Sequence, residues 1–306
     1  MTKEIHRPRP EKDRLRRTMM FMNAQKPALI RDAYIYGSDS IILDLEDAVA
    51  ENQKDAARFS LYHALQEIDY GNTEVIVRIN GLDTPHWHED IRVCVAAGAD
   101  GIRIAKCENA EMVRLVDQAV EKAEIEFGVE VGRTLLMAAL ESPLGIMNAY
   151  EIVTASPRMF GCAISGGDFR KSMHVQIEEG GIEMLAARGQ MLLAARAAGV
   201  QCFDTMYPNV DDMEGFKKEV IQNHKMGFDG KSLINPRQIE FVHETFAPTE
   251  KQIAYAEKLV LSCQAQADAG IGVYTVDGKM VDIPFFEDAK RIIKLAKACG
   301  VYHGEL

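Results

Sequence analysis

A chain of 306 residues, 47% hydrophobic and 26% charged, can bury a large core without disulfide or metal staples. Its formal net charge of -11 argues against bulk attraction to nucleic acid, and no apolar run approaches the length of a membrane span. The six cysteines show neither a CxxC nor a zinc spacing and read as reduced core thiols; with no apolar signal region in the first seventeen residues, the expected location is the cytoplasm.

Residues 1–14 are polar, carry Pro8 and Pro10, and are expected to form a flexible lead; Arg14, Arg16 and Arg17 read as a solvated basic edge in preference to a phosphate contact. Over 15–245 short apolar strands alternate with helical segments. The strands are expected near 18–22, 40–45, 74–80, 101–105, 134–141, 161–166, 200–204 and 230–234. In 109–123, Met112, Val113, Val116, Ala119 and Val120 share a helix face, with Arg114, Asp117, Glu121 and Lys122 opposite. The segment 182–198 is rich in Ala, Leu and Met and stops at Gly199, a good C-cap residue. Eight strands with helical crossovers predict an α/β fold, a closed (β/α)8 TIM barrel, and no GxGxxG follows the first strand to favour a dinucleotide-binding sheet. Over 246–306 the pattern changes to a helix–hairpin–helix extension. Thr249 and Gln252 form a capping box for a helix to about 268, Asp277-Gly278 turns a hairpin over 273–282, and Pro284 opens a last helix to about 298.

The strand ends carry the chemistry. Ile41-Ile42-Leu43-Asp44-Leu45-Glu46-Asp47 runs from a buried strand into three carboxylates, and acids are at home at the carboxyl end of a barrel strand. The strand 134–141 ends in Glu141, and the strand after it leads through Gly166-Gly167 to Asp168. Two carboxylates from neighbouring strands suit a hard cation such as Mg2+; capping of the following helices is the alternative that spacing leaves open. Arg78, followed by Asn80 and Gly81, suits a carboxylate clamp or a structural pair with Asp44 or Glu46. Lys54 and Arg58 share a helix face that meets either an anion or water. Gly166-Gly167 reads as room for a ligand, and His86-Trp87-His88 as a loop docked by Trp87 rather than a metal site. Nothing local distinguishes Asp282.

The runs RRTMMF at 16–21, YGSDSIILDLEDAVAENQKDAAR at 36–58, VRINGLDTPHW at 77–87, ALESPLGIMNAYEI at 139–152, FDTMYPNVDD at 203–212, GFDGKSLINPRQI at 227–239 and VDGKMVDIP at 276–284 resemble the citrate lyase beta-subunit family, within the HpcH/HpaI aldolase superfamily. That resemblance implies Mg2+-dependent retro-Claisen cleavage of a 3-hydroxyacyl thioester, with Glu141 and Asp168 as metal ligands. Arg78 would contact the substrate with Asp44 and Glu46 beside it, while Lys54 and Arg58 fall where the family approaches the phosphates of coenzyme A. Asp282 matches an acid delivered from a neighbouring subunit, which implies a homotrimer. The partners implied are a CoA or acyl-carrier thioester, an oxo acid, and the carrier and transferase subunits of a lyase complex. Malyl-CoA and citramalyl-CoA lyases belong to the same group, so a lyase or condensing paralogue acting on those thioesters is one alternative, and a barrel that binds CoA or docks partner subunits without turnover is another. The chain departs from the family pattern at Asn23-Ala24, Ile104-Ala105-Lys106, Gly167 and the segment 169–181.

Overall fold

The computed structural model describes residues 8–268 and 273–306; residues 1–7 of the expected lead and 269–272 before the hairpin lie outside the described residues. The chain divides into two compact units, Met1–Val242 and His243–Leu306.

In the first unit, eight parallel strands close into a barrel in sequential order. They are β1 (Thr18–Asn23), β2 (Ser40–Asp44), β3 (Glu74–Ile79), β4 (Gly101–Ile104), β5 (Leu135–Leu140), β6 (Met159–Ile164), β7 (Gln201–Asp204) and β8 (Gly230–Leu233). β8 returns to β1 through Thr18↔Lys231, Met19↔Ser232 and Met20↔Leu233. That closure requires Gly230: a Cβ there would stand 2.1 Å from the Arg16 carbonyl oxygen. Helices cover the outside, among them Lys54–Glu67, Ala110–Phe127, Leu185–Ala198 and Met213–Met226. The helix Leu185–Ala198 ends at Gly199 in the left-handed region, as its sequence predicts.

Strand alternation sends every second side chain inward. Met19, Ile42, Ile76, Leu135, Met137, Phe160, Ala163 and Phe203 form the apolar cluster, with Phe21 packed on it. Two residues further along, the same parity carries Asp44 after Ile42 and Arg78 after Ile76. It also carries Glu141, six residues after Leu135. The core therefore turns from apolar to charged on approaching the carboxyl ends of the strands.

The opposite end is held by a buried ion pair. The Arg16 Nε and Nη2 donate to Glu74 at 2.7 Å each, and Arg16 Nη1 donates to Gln201 Oε1 at 2.6 Å. Arg16 also donates to the carbonyls of Lys12 (2.8 Å) and Glu11 (2.7 Å), and Ser40 Oγ donates to Glu74 at 2.7 Å. The expected solvated basic edge is thus wrong for Arg16, which is 1% exposed. Short polar runs look alike in sequence whether water or a buried acid receives them. A second network joins the barrel to its helices: the Lys231 ammonium donates to Asp204 (2.7 Å), Glu219 (2.6 Å) and the Thr205 carbonyl (2.6 Å), while Arg188 bonds the same two acids.

In the second unit Thr249 and Gln252 exchange bonds, backbone N–H of Thr249 to Gln252 Oε1 at 2.9 Å and N–H of Gln252 to Thr249 Oγ1 at 3.3 Å, opening the helix Glu250–Asp268. A hairpin, Tyr274–Val276 with Lys279–Val281, precedes the helix Ile283–Ala298. Ala256, Leu259, Val260, Val276, Val281, Ala289 and Ile293 make this unit's core.

Candidate active site

The carboxyl end of the barrel gathers most of the charged residues singled out in the sequence. Arg78 on β3 stands opposite Asp44 on β2 and Arg103 on β4 in the strand register. Its guanidinium grips Asp44 through Nε and Nη2 at 2.7 Å each, and Nη1 lies 2.9 Å from Glu46 Oε2. Both structural partners left open by the spacing are therefore real. Asp44 also accepts the backbone N–H groups of Glu46 (3.0 Å) and Ala48 (3.2 Å), so the turn after β2 folds around its carboxylate. Burial opposes the charge on Asp44, but Arg78 and these N–H groups outweigh it and hold the carboxyl below its usual range. Arginine has five N–H groups; with Nε, Nη2 and Nη1 each facing a carboxylate, one N–H on each terminal nitrogen remains for a ligand.

Glu141 follows β5 directly. Both of its carboxylate oxygens are buried without a hydrogen-bond partner. Ser142 is the residue that caps the next helix, accepting the N–H of Gly145 at 3.2 Å. Capping therefore does not account for Glu141. Burial, which outweighs the attraction of Arg78 and Arg103, raises its pKa to about 7, with Glu46 and Asp168 adding to the rise. Asp168 is not at a strand end as expected. β6 stops at Ile164, and Asp168 sits in the first turn of the helix Gly166–Met173. Glu141 and Asp168 line one cleft of about 570 Å3, together with Lys106, Glu108, Ser142 and Lys171. Among the described residues no three His, Cys, Asp or Glu side chains group as a metal cluster. Two carboxylates, one with both oxygens unpartnered, nonetheless fit the donor set of Mg2+, which keeps waters and substrate oxygens as its other ligands.

Other expectations resolve differently. Gly166 makes room for protein rather than ligand: its N–H donates to Thr205 Oγ1 at 2.9 Å, and a Cβ would meet Arg170 Nη1 at 2.8 Å. Nothing stands within 4 Å of a Cβ placed on Gly167. Lys54 is buried and donates to the carbonyls of Leu45 and Glu46 at 2.8 Å each. Arg58 is buried against Asp90 at 2.8 Å and also pairs with Asp55. Both cations brace the loop and helix behind the Asp44 turn. Trp87 opens the helix Trp87–Ala97 instead of docking a loop, and His86 pairs with Glu51 at 2.6 Å. Asp282 stands before the helix Ile283–Ala298 of the second unit, with Oδ1 buried and unpartnered.

Two further cations, to which the sequence reading gives no role, stand at the same end. Lys106, held at φ 49°, bridges Glu46 at 2.6 Å and Asp47 at 3.5 Å. Burial lowers and these acids raise its pKa, and the net shift is upward. Arg103, within the four-residue strand β4, is 1% exposed, and its Nε and Nη1 have no partner. A basic residue inside an otherwise apolar barrel strand was the available signal.

A closed parallel barrel whose mouth carries an oriented arginine and acids lining one cleft has the layout of a TIM-barrel enzyme, with its site at the carboxyl ends of the strands. The HpcH/HpaI aldolase/citrate lyase family model matches residues 17–236, and a model of C–C bond lyases of the TIM-barrel fold matches 175–301. Citrate lyase subunit beta of Leuconostoc mesenteroides subsp. cremoris is 50% identical over 286 residues, 94% of this chain and 95% of its own. A (3S)-malyl-CoA thioesterase of Cereibacter sphaeroides is 33% identical over 286 residues, 94% of this chain and 96% of its own. Among solved structures, the CitE protein of Mycobacterium tuberculosis in complex with magnesium, acetoacetate and coenzyme A is similar at a TM-score of 0.74 and 26% identity, covering 94% of this chain and all of that one. This chain belongs to the HpcH/HpaI aldolase/citrate lyase family, and it is a lyase. No helix among the described residues is long and apolar enough to cross a membrane.

Proposed function

We propose that the barrel mouth cleaves the carbon–carbon bond of a 3-hydroxyacyl thioester, with a citryl thioester as substrate and oxaloacetate and an acetyl thioester as products. The observation that carries this reading is Glu141: a buried carboxylate with two unpartnered oxygens beside Asp168, which a divalent cation would satisfy. Glu141 and Asp168 would hold Mg2+. When bound, that ion supplies Lewis-acid polarisation of the substrate's oxygens.

The chain's own residues do the rest. Asp44 and Glu46 fix the Arg78 guanidinium, so it needs no reorganisation when negative charge develops. The substrate's tertiary hydroxyl loses its proton to a base and becomes the keto carbonyl as the adjacent carbon–carbon bond breaks. The bonding pair moves into the thioester as an enolate, whose oxygen takes a remaining N–H of Arg78. The enolate carbon then receives a proton from Asp282. Lys54 and Arg58 support this site from behind, and a phosphate of coenzyme A reaches them only if their present bonds give way.

Asp282 belongs to the second unit, and the exposed apolar side chains of Met280, Ile283 and Phe285 flank it. We infer that residues 246–306 mediate self-association, with trimerisation presenting Asp282 to a neighbouring mouth. The same site lies in the cytoplasm, where Cys94, Cys107, Cys162 and Cys202 stay as buried thiols. The carrier and transferase subunits of a lyase complex are its further partners.

The test is keto-acid release from citryl-CoA, malyl-CoA and citramalyl-CoA with Mg2+. Oxaloacetate from citryl-CoA supports the reading; a preference for another thioester keeps the mechanism and moves the specificity. The malyl-CoA thioesterase relative makes free coenzyme A from malyl-CoA the readout for a hydrolytic alternative. Mixing inactive Asp282→Asn with inactive Glu141→Gln protein tests the shared site: restored activity is expected, and its absence contradicts delivery from a neighbour.

A further inference from the structure

Arg78 and Arg103 are register partners on adjacent strands, yet their hydrogen-bond partners differ. Arg78 is met by two carboxylates. Arg103 has none in bonding contact: its Nε and Nη1 are buried and unpartnered, and the group it faces is the Phe21 ring, 5.1 Å from its Cζ. The same ring lies 5.2 Å from the Arg78 Cζ and so stands beside both guanidiniums. A cation–π contact compensates only part of the cost of burying a guanidinium with open N–H groups. Burial and the charge of Arg78 pull the Arg103 pKa down to about 10, still leaving it protonated at neutral pH.

Such a group is complete only with an anion. The anion must be small, since Arg103 is 1% exposed, and it must belong to the reacting end of the substrate, since Arg103 stands beside Arg78 in the strand register and shares the Phe21 ring with it. A nucleotide phosphate fits neither condition. An oxo acid at Glu141 and Asp168 fits both if it carries a second carboxylate. Oxaloacetate has one; the glyoxylate and pyruvate halves of malyl and citramalyl thioesters do not.

Resting on the lyase reading above, we propose that Arg103 is a specificity-determining residue that receives the second carboxylate of a dicarboxylic oxo acid and so selects citryl over malyl and citramalyl thioesters. Charge-assisted bonds to a desolvated carboxylate make this selection strong, and a buried ion whose partner is the substrate makes it dispensable for folding.

Calorimetric titration of wild type, Arg103→Met and Arg103→Lys with oxaloacetate and with pyruvate, each with Mg2+, tests this. Wild type is expected to favour oxaloacetate by roughly 50-fold, and Arg103→Met to bring that preference within about threefold, mostly by losing oxaloacetate affinity. Arg103→Lys should recover part of it. Thermal melting should show Arg103→Met unchanged or more stable without ligand, where a merely structural role predicts a loss. Equal weakening of both oxo acids, or a preference that survives in Arg103→Met, overturns the proposal alone. A wild type that binds neither oxo acid overturns the lyase reading and this proposal with it.

Discussion

The two ends of the barrel bury similar residues, and the carboxyl end leaves Glu141 and Arg103 without hydrogen-bond partners. At the amino end Arg16 and Glu74 satisfy each other, and Ser40, Gln201 and two carbonyls complete the network. At the carboxyl end Glu141 and Arg103 are as deeply buried, yet both carboxylate oxygens of the one and two guanidinium nitrogens of the other lack partners. A buried ion is costly alone and tolerable when paired. The paired ions hold the fold, and the two unpaired ones, Glu141 and Arg103, await groups the chain does not supply.

Substitutions at the two ends should therefore separate activity from stability. The largest effect is expected at the mouth: Glu141→Gln or Asp168→Asn should lower kcat by about 10^3-fold, as loss of a group that stabilises developing charge does, with an unaltered circular dichroism spectrum. Steady-state kinetics with saturating Mg2+ would decide it, and retained turnover would remove the residue from the site. Next, Glu74→Gln should cost about 3–5 kcal/mol of unfolding free energy by leaving the Arg16 charge buried without its acid, while kcat of the folded fraction stays within error. Urea titration reads this, and a loss of kcat without a loss of stability would reverse the assignment of the two ends.

The pH dependence of Glu141 sharpens the contrast. Its folded pKa of about 7 lies above the usual 4.5, so between these values the folded state binds more protons than the unfolded one. Its contribution to stability therefore falls as pH rises through that window, by about 3 kcal/mol in all. Without metal, Glu141→Gln should match wild type at pH 4.5 and exceed it at pH 8. A difference that does not change with pH would contradict this. The smallest effect is expected at Arg9, whose pair with Glu130 at 2.6 Å is more than half exposed on both sides. Arg9→Ala should shift stability by less than about 0.5 kcal/mol, since water screens such pairs.

Much of this was legible in the sequence because barrel strands obey a period of two and announce their ends with charge. β2 into Asp44 and β5 into Glu141 were readable that way, and so was the capping box at Thr249 and Gln252. What escaped depended on partners distant in sequence. Arg16 looked solvated because Glu74 is 58 residues away. Lys54 and Arg58 read as one helix face meeting an anion or water, because helical spacing shows which residues align, not whether the face is covered. Asp168 looked like a strand end because Gly166-Gly167 hides the point where a helix begins. Arg103 is the anomalous residue of β4 among apolar neighbours, but its spacing names no partner in the chain.

The most direct measurement is oxaloacetate release from citryl-CoA as a function of Mg2+ concentration, in wild type and Glu141→Gln. Saturable Mg2+ dependence is expected in the wild type and none above background in the variant. Equal rates in the two proteins, or a rate indifferent to chelation, would contradict the claim that the unpaired carboxylate at the barrel mouth is where the chemistry is done.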